Sequence, residues 1–282
     1  MYNFCNKPEK IFYKYISLDN NPHAFELLKG KIYFSYPNQF NDPFDSKIEY
    51  KEDMSKNELL INYKKACKRN NRPYNEQEIN NLSQEKIKRI LEERNNKGQT
   101  NALKIYCLSE RYDSILMWSH YAHNHQGICI GIKTFLKYKG YTIDTINNSV
   151  REDKDAPTDA KKLLTLRKCT YSSKTPPSCG LFASGEELFP FLETKYEEWR
   201  YENEYRIILP QNDIMTNPVE IDRNNIAEII LGMNITNRNK KNVINHIFDE
   251  FKGQYKPKLF QCKQIRGQYA VEKEDISREL FQ

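Results

Sequence analysis

The run Trp199-Arg200-Tyr201-Glu202-Asn203-Glu204-Tyr205-Arg206 sets two carboxylates and a guanidinium at alternate positions, just ahead of the apolar Ile207-Ile208-Leu209. Side chains on an extended strand alternate between faces. Glu202, Glu204 and Arg206 are therefore expected on one face, with Tyr201, Asn203 and Tyr205 on the other. Carboxylates at i and i+2 stand roughly 7 Å apart, close enough for each to disturb the ionisation of the other. The residues alone leave two readings open: an exposed Glu-Arg ladder on a sheet face, or a carboxylate pair placed for chemistry.

A second segment, Met117 to Gly127, holds three of the five histidines (His120, His123 and His125) within six residues. His120 and His123 share a helix face, but no cysteine pair stands near to complete a zinc set, so no metal is assigned. The preferred reading makes Trp118, His120 and Tyr121 a pocket wall of rings with hydrogen-bonding tips. His123 and His125 then close the helix at its negative end. An aromatic core helix with a surface histidine cluster is the other reading. In the third segment, Asn41-Asp42-Pro43-Phe44-Asp45, Asn and Asp flank a proline, the chemistry of a rigid turn. The alternative is that Asp42 and Asp45 present their carboxylates to a cleft. The three segments are expected to converge on one polar site.

The elements that must position them follow from patterning. Ile11–Ile16 reads as a strand, His23–Lys29 as a short helix stopped by Gly30, and Lys31–Tyr36 as a second strand ended by Pro37. Residues 55–97 read as a polar helical insertion in two pieces, broken near Arg72-Pro73. Lys104–Leu108 and Ile128–Ile132 are strands, with a helix over Ser114–Ala122 between them. Residues 139–180 read as a loop-rich insertion, with a helix at Thr158–Arg167 and a short strand around Cys169–Tyr171. Ser184 and Glu187 form a capping box. Arg200–Leu209 is expected as a long strand, Ala227–Leu231 as another closed by Gly232, and Asn237–Phe251 as an amphipathic helix. A final strand near Leu259–Cys262 precedes a charged tail. The sum is a single α+β domain over residues 1–282, built on a mixed, mainly antiparallel sheet with helical insertions.

Composition sets bounds on function. With 14 Phe and 19 Tyr the chain is too rich in aromatics to be disordered, although its mean hydropathy is −0.84. A net charge of +6 permits an anionic partner without demanding a nucleic acid, whose binders concentrate charge on one face. Seven dispersed cysteines without a C-x-x-C pair suit a reducing compartment. No signal-like start and no apolar run of the roughly 18 residues that a membrane span needs are present, so a cytoplasmic protein without a membrane partner is expected.

Asn41-Asp42-Pro43-Phe44-Asp45, Trp118-Ser119-His120-Tyr121-Ala122 with Gly127, and Trp199 with Glu202, Glu204, Tyr205 and Arg206 follow Tyr13-Lys14-Tyr15 in one order. This set resembles the bacterial family of domain of unknown function 2971, over about Ile11 to Phe260, a family whose name supplies no activity. The opening strand, short helix, Gly30, second strand and late Glu-x-Glu are further similar to the ADP-ribosyltransferase fold. That likeness implies NAD as substrate. Glu204 would stabilise positive charge at the anomeric carbon, with Glu202 turned toward the acceptor. Tyr13 or Lys14 would contact a ribose, Arg206 or Lys14 the pyrophosphate, and Trp118 or Tyr121 the nicotinamide. The chain departs from that pattern in having Lys14 or a tyrosine where Arg or His is usual, and in lacking a Ser-Thr-Ser run. The implied activity is transfer to a macromolecular acceptor, as in a toxin or phage-defence effector. Two competitors stand beside it. One is a metal-dependent nuclease or hydrolase using Asp42, Asp45, Glu202 and Glu204. The other is a non-catalytic module that binds a nucleotide or a protein.

Overall fold

The structure is a computed structural model that describes residues 9–19, 21, 23–97, 102–137, 140–146, 163–214, 216–252 and 256–278. Strand β1 (Glu9–Ile16) leads through a 3-10 turn to the short β2 (Lys31–Ile32). Helices α1 (Lys56–Arg69), α2 (Glu76–Asn80) and α3 (Gln84–Lys97) follow, then β3 (Leu103–Ser109) and α4 (Ile115–Tyr121). Next come β4 (Ile128–Lys137), β5 (Gly140–Asp144), β6 (Leu163–Lys168) and β7 (Thr170–Ser172). Helix α5 (Gly185–Glu193) runs into β8 (Thr194–Tyr196), a 3-10 segment Glu197–Glu202 and β9 (Glu204–Pro210). The last elements are β10 (Val219–Glu220), β11 (Ile226–Leu231), α6 (Asn237–Glu250), β12 (Lys258–Gln264) and β13 (Val271–Asp275). The chain divides into two compact units. Unit 1 comprises Met1–Phe34, Lys104–Lys168 and Arg200–Gln282, and unit 2 comprises Ser35–Leu103 and Cys169–Trp199.

Unit 1 is a barrel-like sheet with a wing. Strand β1 pairs with β3 on one side and β4 on the other, so the order β1-β3-β9-β6-β5-β4 closes on itself, and β11, β12 and β13 extend from β4. Closure leaves those strands no free edge. The β1–β4 ladder is antiparallel from Glu9 opposite Phe135 to Ile16 opposite Ile128, whereas β11 and β12 run parallel, joined across α6. Strand β4 reads Ile-Cys-Ile-Gly-Ile, a continuous apolar run, because both of its faces are covered. Ile128, Ile130 and Ile132 join Phe12, Leu108, Leu164, Ile207, Val243 and Ile247 in the larger core. Cys129, on the opposite face, meets Tyr13, Tyr15, Trp118, Ile230 and Phe260. An α+β architecture with mainly antiparallel pairing is thus what the sequence led us to expect.

Unit 2 is built around α1, α2, α3 and α5. Met54, Leu59, Ile79, Ile87, Leu91 and Leu181 form one core, and Ile48, Cys179 and Phe191 a second. Its ends are closed locally: Ser55 with Glu58 caps α1, and Ser184 with Glu187 caps α5 as their spacing requires. Asn95 holds both backbone groups of Tyr50, at 2.7 and 3.0 Å. Of the two stretches read as insertions, residues 55–97 lie in this unit, whereas the stretch 139–180 is divided: β5 and β6 are strands of the unit 1 sheet and only residues from Cys169 onward belong here.

Several elements differ from expectation. The helix expected at Thr158–Arg167 is strand β6 over Leu163–Lys168, residues 158–162 lying outside the described ones. Leu164 and Leu166 alternate with exposed or half-buried neighbours and are buried at period two, as a strand paired to β5 and β9 demands. The strand expected over Lys31–Tyr36 stops at Ile32, since Asn217 takes the Phe34 amide and carbonyl at 3.0 and 3.1 Å in place of a neighbouring strand. Residues 55–97 form three helices rather than two, because Asn75 caps a separate short α2. The charged tail contains β13, held against β12. Cys67, Cys107, Cys129, Cys169, Cys179 and Cys262 are free thiols, and Cys5 falls outside the described residues.

Candidate functional site

The strand predicted to carry Glu202, Glu204 and Arg206 begins only at Glu204. Arg200 to Glu202 lie in the 3-10 segment, and Asn203, at φ +44°, turns the chain between them. Asn tolerates that left-handed region better than most residues. Glu202 is therefore not stacked beside Glu204 along one strand face. It is buried at 3% exposure, its carboxylate accepts the Tyr121 hydroxyl at 2.6 Å, and its carbonyl accepts the Ser109 hydroxyl at 2.6 Å. Glu204 and Arg206 do share a face of β9. The guanidinium donates to both carboxylate oxygens, at 2.8 and 3.0 Å, with Arg206 wholly buried.

The other unit 1 candidates are committed to packing. Tyr13 lies in the second core and hydrogen-bonds Glu228, and burial first, then that carboxylate, push its hydroxyl to a higher pKa. Lys14 faces the opposite side of β1, donating to the Cys107 carbonyl at 3.1 Å with its ammonium 4.8 Å above the Tyr106 ring. Trp118 is wholly buried, its indole donating to the Tyr112 carbonyl at 2.7 Å and meeting Tyr15 edge-on. Its ring is therefore part of the core and not the wall of an open pocket. His120 is exposed, 6.0 Å from the Tyr201 ring.

The histidine cluster closes α4 through a strained turn. His123, Asn124 and His125 take φ of +47°, +52° and +66°, three successive left-handed residues of which none is glycine. Each such residue costs about 1 kcal/mol or more. His123 pairs with Asp19 at 3.0 Å, and His125 lies parallel to Trp118 with its Nδ1 buried and unpartnered. Backbone bonds fix the turn: Gly127 donates to Ala122, Gly232 to Gly127 and Asn234 to His125. Among the described residues, no group of three or more His, Cys, Asp or Glu is placed to hold a metal ion.

In unit 2, Asn41 to Asp45 form the turn their composition suggests. The Asp42 carboxylate accepts the Phe44 amide at 2.9 Å, and its carbonyl accepts the Asp45 amide at 3.1 Å. Asp45 is buried, accepting from Ser46 at 2.9 Å and facing the Lys195 ammonium at 3.5 Å. Lys195 in turn stands 5.0 Å from the centre of the Trp199 ring. A cavity of about 510 Å³ is lined by Asn41, Asp42, Pro43, Phe44 and Lys47 from the first segment of this unit. Ser172 to Pro176, Phe191, Thr194, Lys195, Tyr196 and Trp199 line it from the second. Asn41–Phe44 and Trp199, more than 150 residues apart in sequence, are thus brought to one concavity.

Sequence reasoning missed Lys47, Lys174, Lys195, Phe191 and Tyr196. Apart from the turn-like Ser172-Ser173-Lys174-Thr175-Pro176-Pro177, they carry no local signal, since a lone lysine or ring acquires meaning only from what faces it. Among the described residues no helix is long and apolar enough to cross a membrane. No curated protein and no solved structure matches the chain significantly. Residues 117–207, which include Trp118, His120, Tyr121, Gly127, Trp199, Glu202, Glu204 and Arg206, match the family model described as "Protein of unknown function (DUF2971)". Over this segment the chain is similar to the DUF2971 family, whose description names no activity.

Proposed function

We propose that the protein is a nucleotide-binding module whose site is the unit 2 cavity. One observation carries the reading: a concavity of about 510 Å³ gathers four aromatic residues, Phe44, Phe191, Tyr196 and Trp199, and three lysines, Lys47, Lys174 and Lys195. That volume suits a small ligand, and such sites combine apolar walls with a few polar groups that fix orientation. Phe44, Tyr196 and Trp199 offer rings for stacking to a base, and the exposed Lys47 and Lys174 ammonium groups complement phosphate, while Phe191 and the Asp45-paired Lys195 shape the floor. Phe44 at 76% and Tyr196 at 50% exposure leave apolar surface that a bound base would cover.

The chemistry expected of an ADP-ribosyltransferase asks Glu204 to face a substrate ribose. Its two oxygens are taken by Arg206 and it is buried, so binding is the better supported reading, with NAD and ADP-ribose among the ligands to try. The carboxylates of the metal-dependent hydrolase reading are likewise engaged: Asp42 and Asp45 by the turn and by Lys195, Glu202 by Tyr121.

The chain has two tryptophans, and Trp118 is wholly buried, which makes Trp199 the natural reporter. Titration with AMP, ADP, ATP, NAD and ADP-ribose is expected to change its fluorescence saturably and to raise the melting temperature. Trp199→Phe should remove the optical signal, and Lys174→Glu should weaken binding. Absence of both signals with every nucleotide at millimolar concentration would overturn the reading.

A further inference from the structure

We infer that this site has two chambers and takes a dinucleotide, two nucleosides joined through phosphates; the inference rests on the nucleotide reading above. A second cavity of about 620 Å³ in the same unit shares Lys47, Thr175 and Pro176 with the first, so these three residues form a ridge between the two. The chambers differ in chemistry. The first is lined by aromatic residues and lysines, while the second is lined by Glu49, Tyr50, Glu52 and Asn95, with Pro177 and Ser178.

The ridge is built. Thr175 donates its hydroxyl to Glu49 at 3.3 Å, tying the ridge to the wall of the second chamber. That wall is held at Tyr50, whose amide and carbonyl are both bonded to Asn95. Lys47 is exposed on the ridge, an ammonium on a flexible stem at the boundary of both cavities, where the linking phosphates of a ligand occupying both would lie. Carboxylates are the usual acceptors for ribose hydroxyls. Glu49 and Glu52 therefore suit a second ribose and oppose a terminal phosphate, whose charge they would repel. A ligand with one base stacked in the first chamber, phosphates across Lys47 and a sugar against the glutamates satisfies both cavities. A mononucleotide satisfies only the first.

The test compares AMP with NAD by calorimetry, using the full chain. NAD is expected to bind at least about tenfold more tightly than AMP, and ATP not to share that gain. In Glu49→Gln/Glu52→Gln, checked for an unchanged melting temperature, the ratio of NAD to AMP affinity should fall toward one. In Lys47→Ala the same ratio should fall while the glutamates are intact. If AMP binds and NAD binds no more tightly, or the ratio survives the paired glutamate substitution, the two-chamber inference is overturned and the nucleotide reading stands. If NAD does not bind, the two-chamber inference fails, and if none of AMP, ADP, ATP, NAD and ADP-ribose binds, the nucleotide reading fails with it.

Discussion

Arg206 reaches back two residues along β9 and closes on both oxygens of Glu204, Nε to Oε1 at 2.8 Å and Nη2 to Oε2 at 3.0 Å, with the two side chains 0% and 6% exposed. This side-on geometry is the strong form of a charge-assisted hydrogen bond. It turns the most suggestive motif of the sequence into a buried pair whose first duty is to neutralise itself. Removing one partner of such a pair strands the other charge, at a cost of about 3–5 kcal/mol, whereas replacing both by apolar groups costs far less. Arg206→Met should therefore lower the urea midpoint sharply, and Glu204→Leu/Arg206→Met should be more stable than the sum of the single changes predicts. Additive losses, or a single loss below about 1 kcal/mol, would show that the pair does not act as a unit.

Much of this fold was legible from pattern, and the failures have physical causes. The capping boxes at Ser55 and Ser184, the helix over Ser114–Ala122 and strands β1, β3, β4 and β11 follow from local side-chain chemistry and periodicity, which a short window of sequence contains. What escaped depends on partners far along the chain. Glu202 looks like a strand residue by alternation, yet the left-handed Asn203 detaches it from β9. β6 looks helical until β5 and β9 flank it. For the candidate site, Asn41–Phe44 and Trp199 could be named as landmarks. Lys47, Lys174 and Lys195 could not, because nothing near them in sequence distinguishes them from the other basic residues of a chain with 44 Lys and Arg.

Gly127 has no local reason in the sequence to be glycine; the structure supplies one. A Cβ there would stand 2.1 Å from the Ile16 carbonyl oxygen, and one on Gly232 would stand 2.2 Å from the His125 carbonyl oxygen. Backbone atoms cannot step aside as a flexible side chain can. Gly127→Ala and Gly232→Ala are each expected to prevent accumulation of folded, soluble protein. Gly267 is the control, with φ +77° and nothing within 4 Å of the place a methyl group would take. Alanine there meets only the left-handed backbone penalty of about 1–2 kcal/mol. Soluble yield of the three variants, with a thermal melt of every one that folds, should separate crowding from conformational preference. Equal losses in all three would refute the packing account.

The Tyr121 hydroxyl donates to the Glu202 carboxylate at 2.6 Å, joining α4 to the 3-10 segment before β9. Glu202 is 3% exposed, so water replaces a lost donor poorly. Tyr121→Phe keeps the ring and deletes the donor. A hydrogen bond to a charged group contributes about 1.5–3 kcal/mol, and a loss in that range is expected by chemical denaturation at neutral pH. The loss should shrink in a Glu202→Gln background, where the acceptor is no longer charged. A Tyr121→Phe variant as stable as wild type would mean the carboxylate is satisfied without this bond.

His125 supplies a pH dependence whose sign can be worked out. Burial lowers its pKa from the ordinary 6.5, only partly offset by a hydrogen bond to the Ile115 backbone, and Nδ1 is buried without a partner. The folded state therefore holds the neutral ring at pH values where the unfolded chain already binds a proton. In that window the unfolded state carries more protons, so stability rises with pH. The contribution is fully present above the unfolded value near 6.5 and is lost as pH falls from there through the folded pKa. Asn at position 125 accepts the left-handed backbone and cannot titrate, so His125→Asn removes this dependence while retaining the turn. Unfolding free energies measured from about pH 7.5 down to about 5 should show wild type losing stability relative to the variant below about pH 6.5, and parallel profiles above it. The exposed His123–Asp19 pair is common to both proteins and cancels in the comparison. Parallel profiles over the whole range would mean that the half-buried imidazole is protonated as readily in the folded turn as in the unfolded chain.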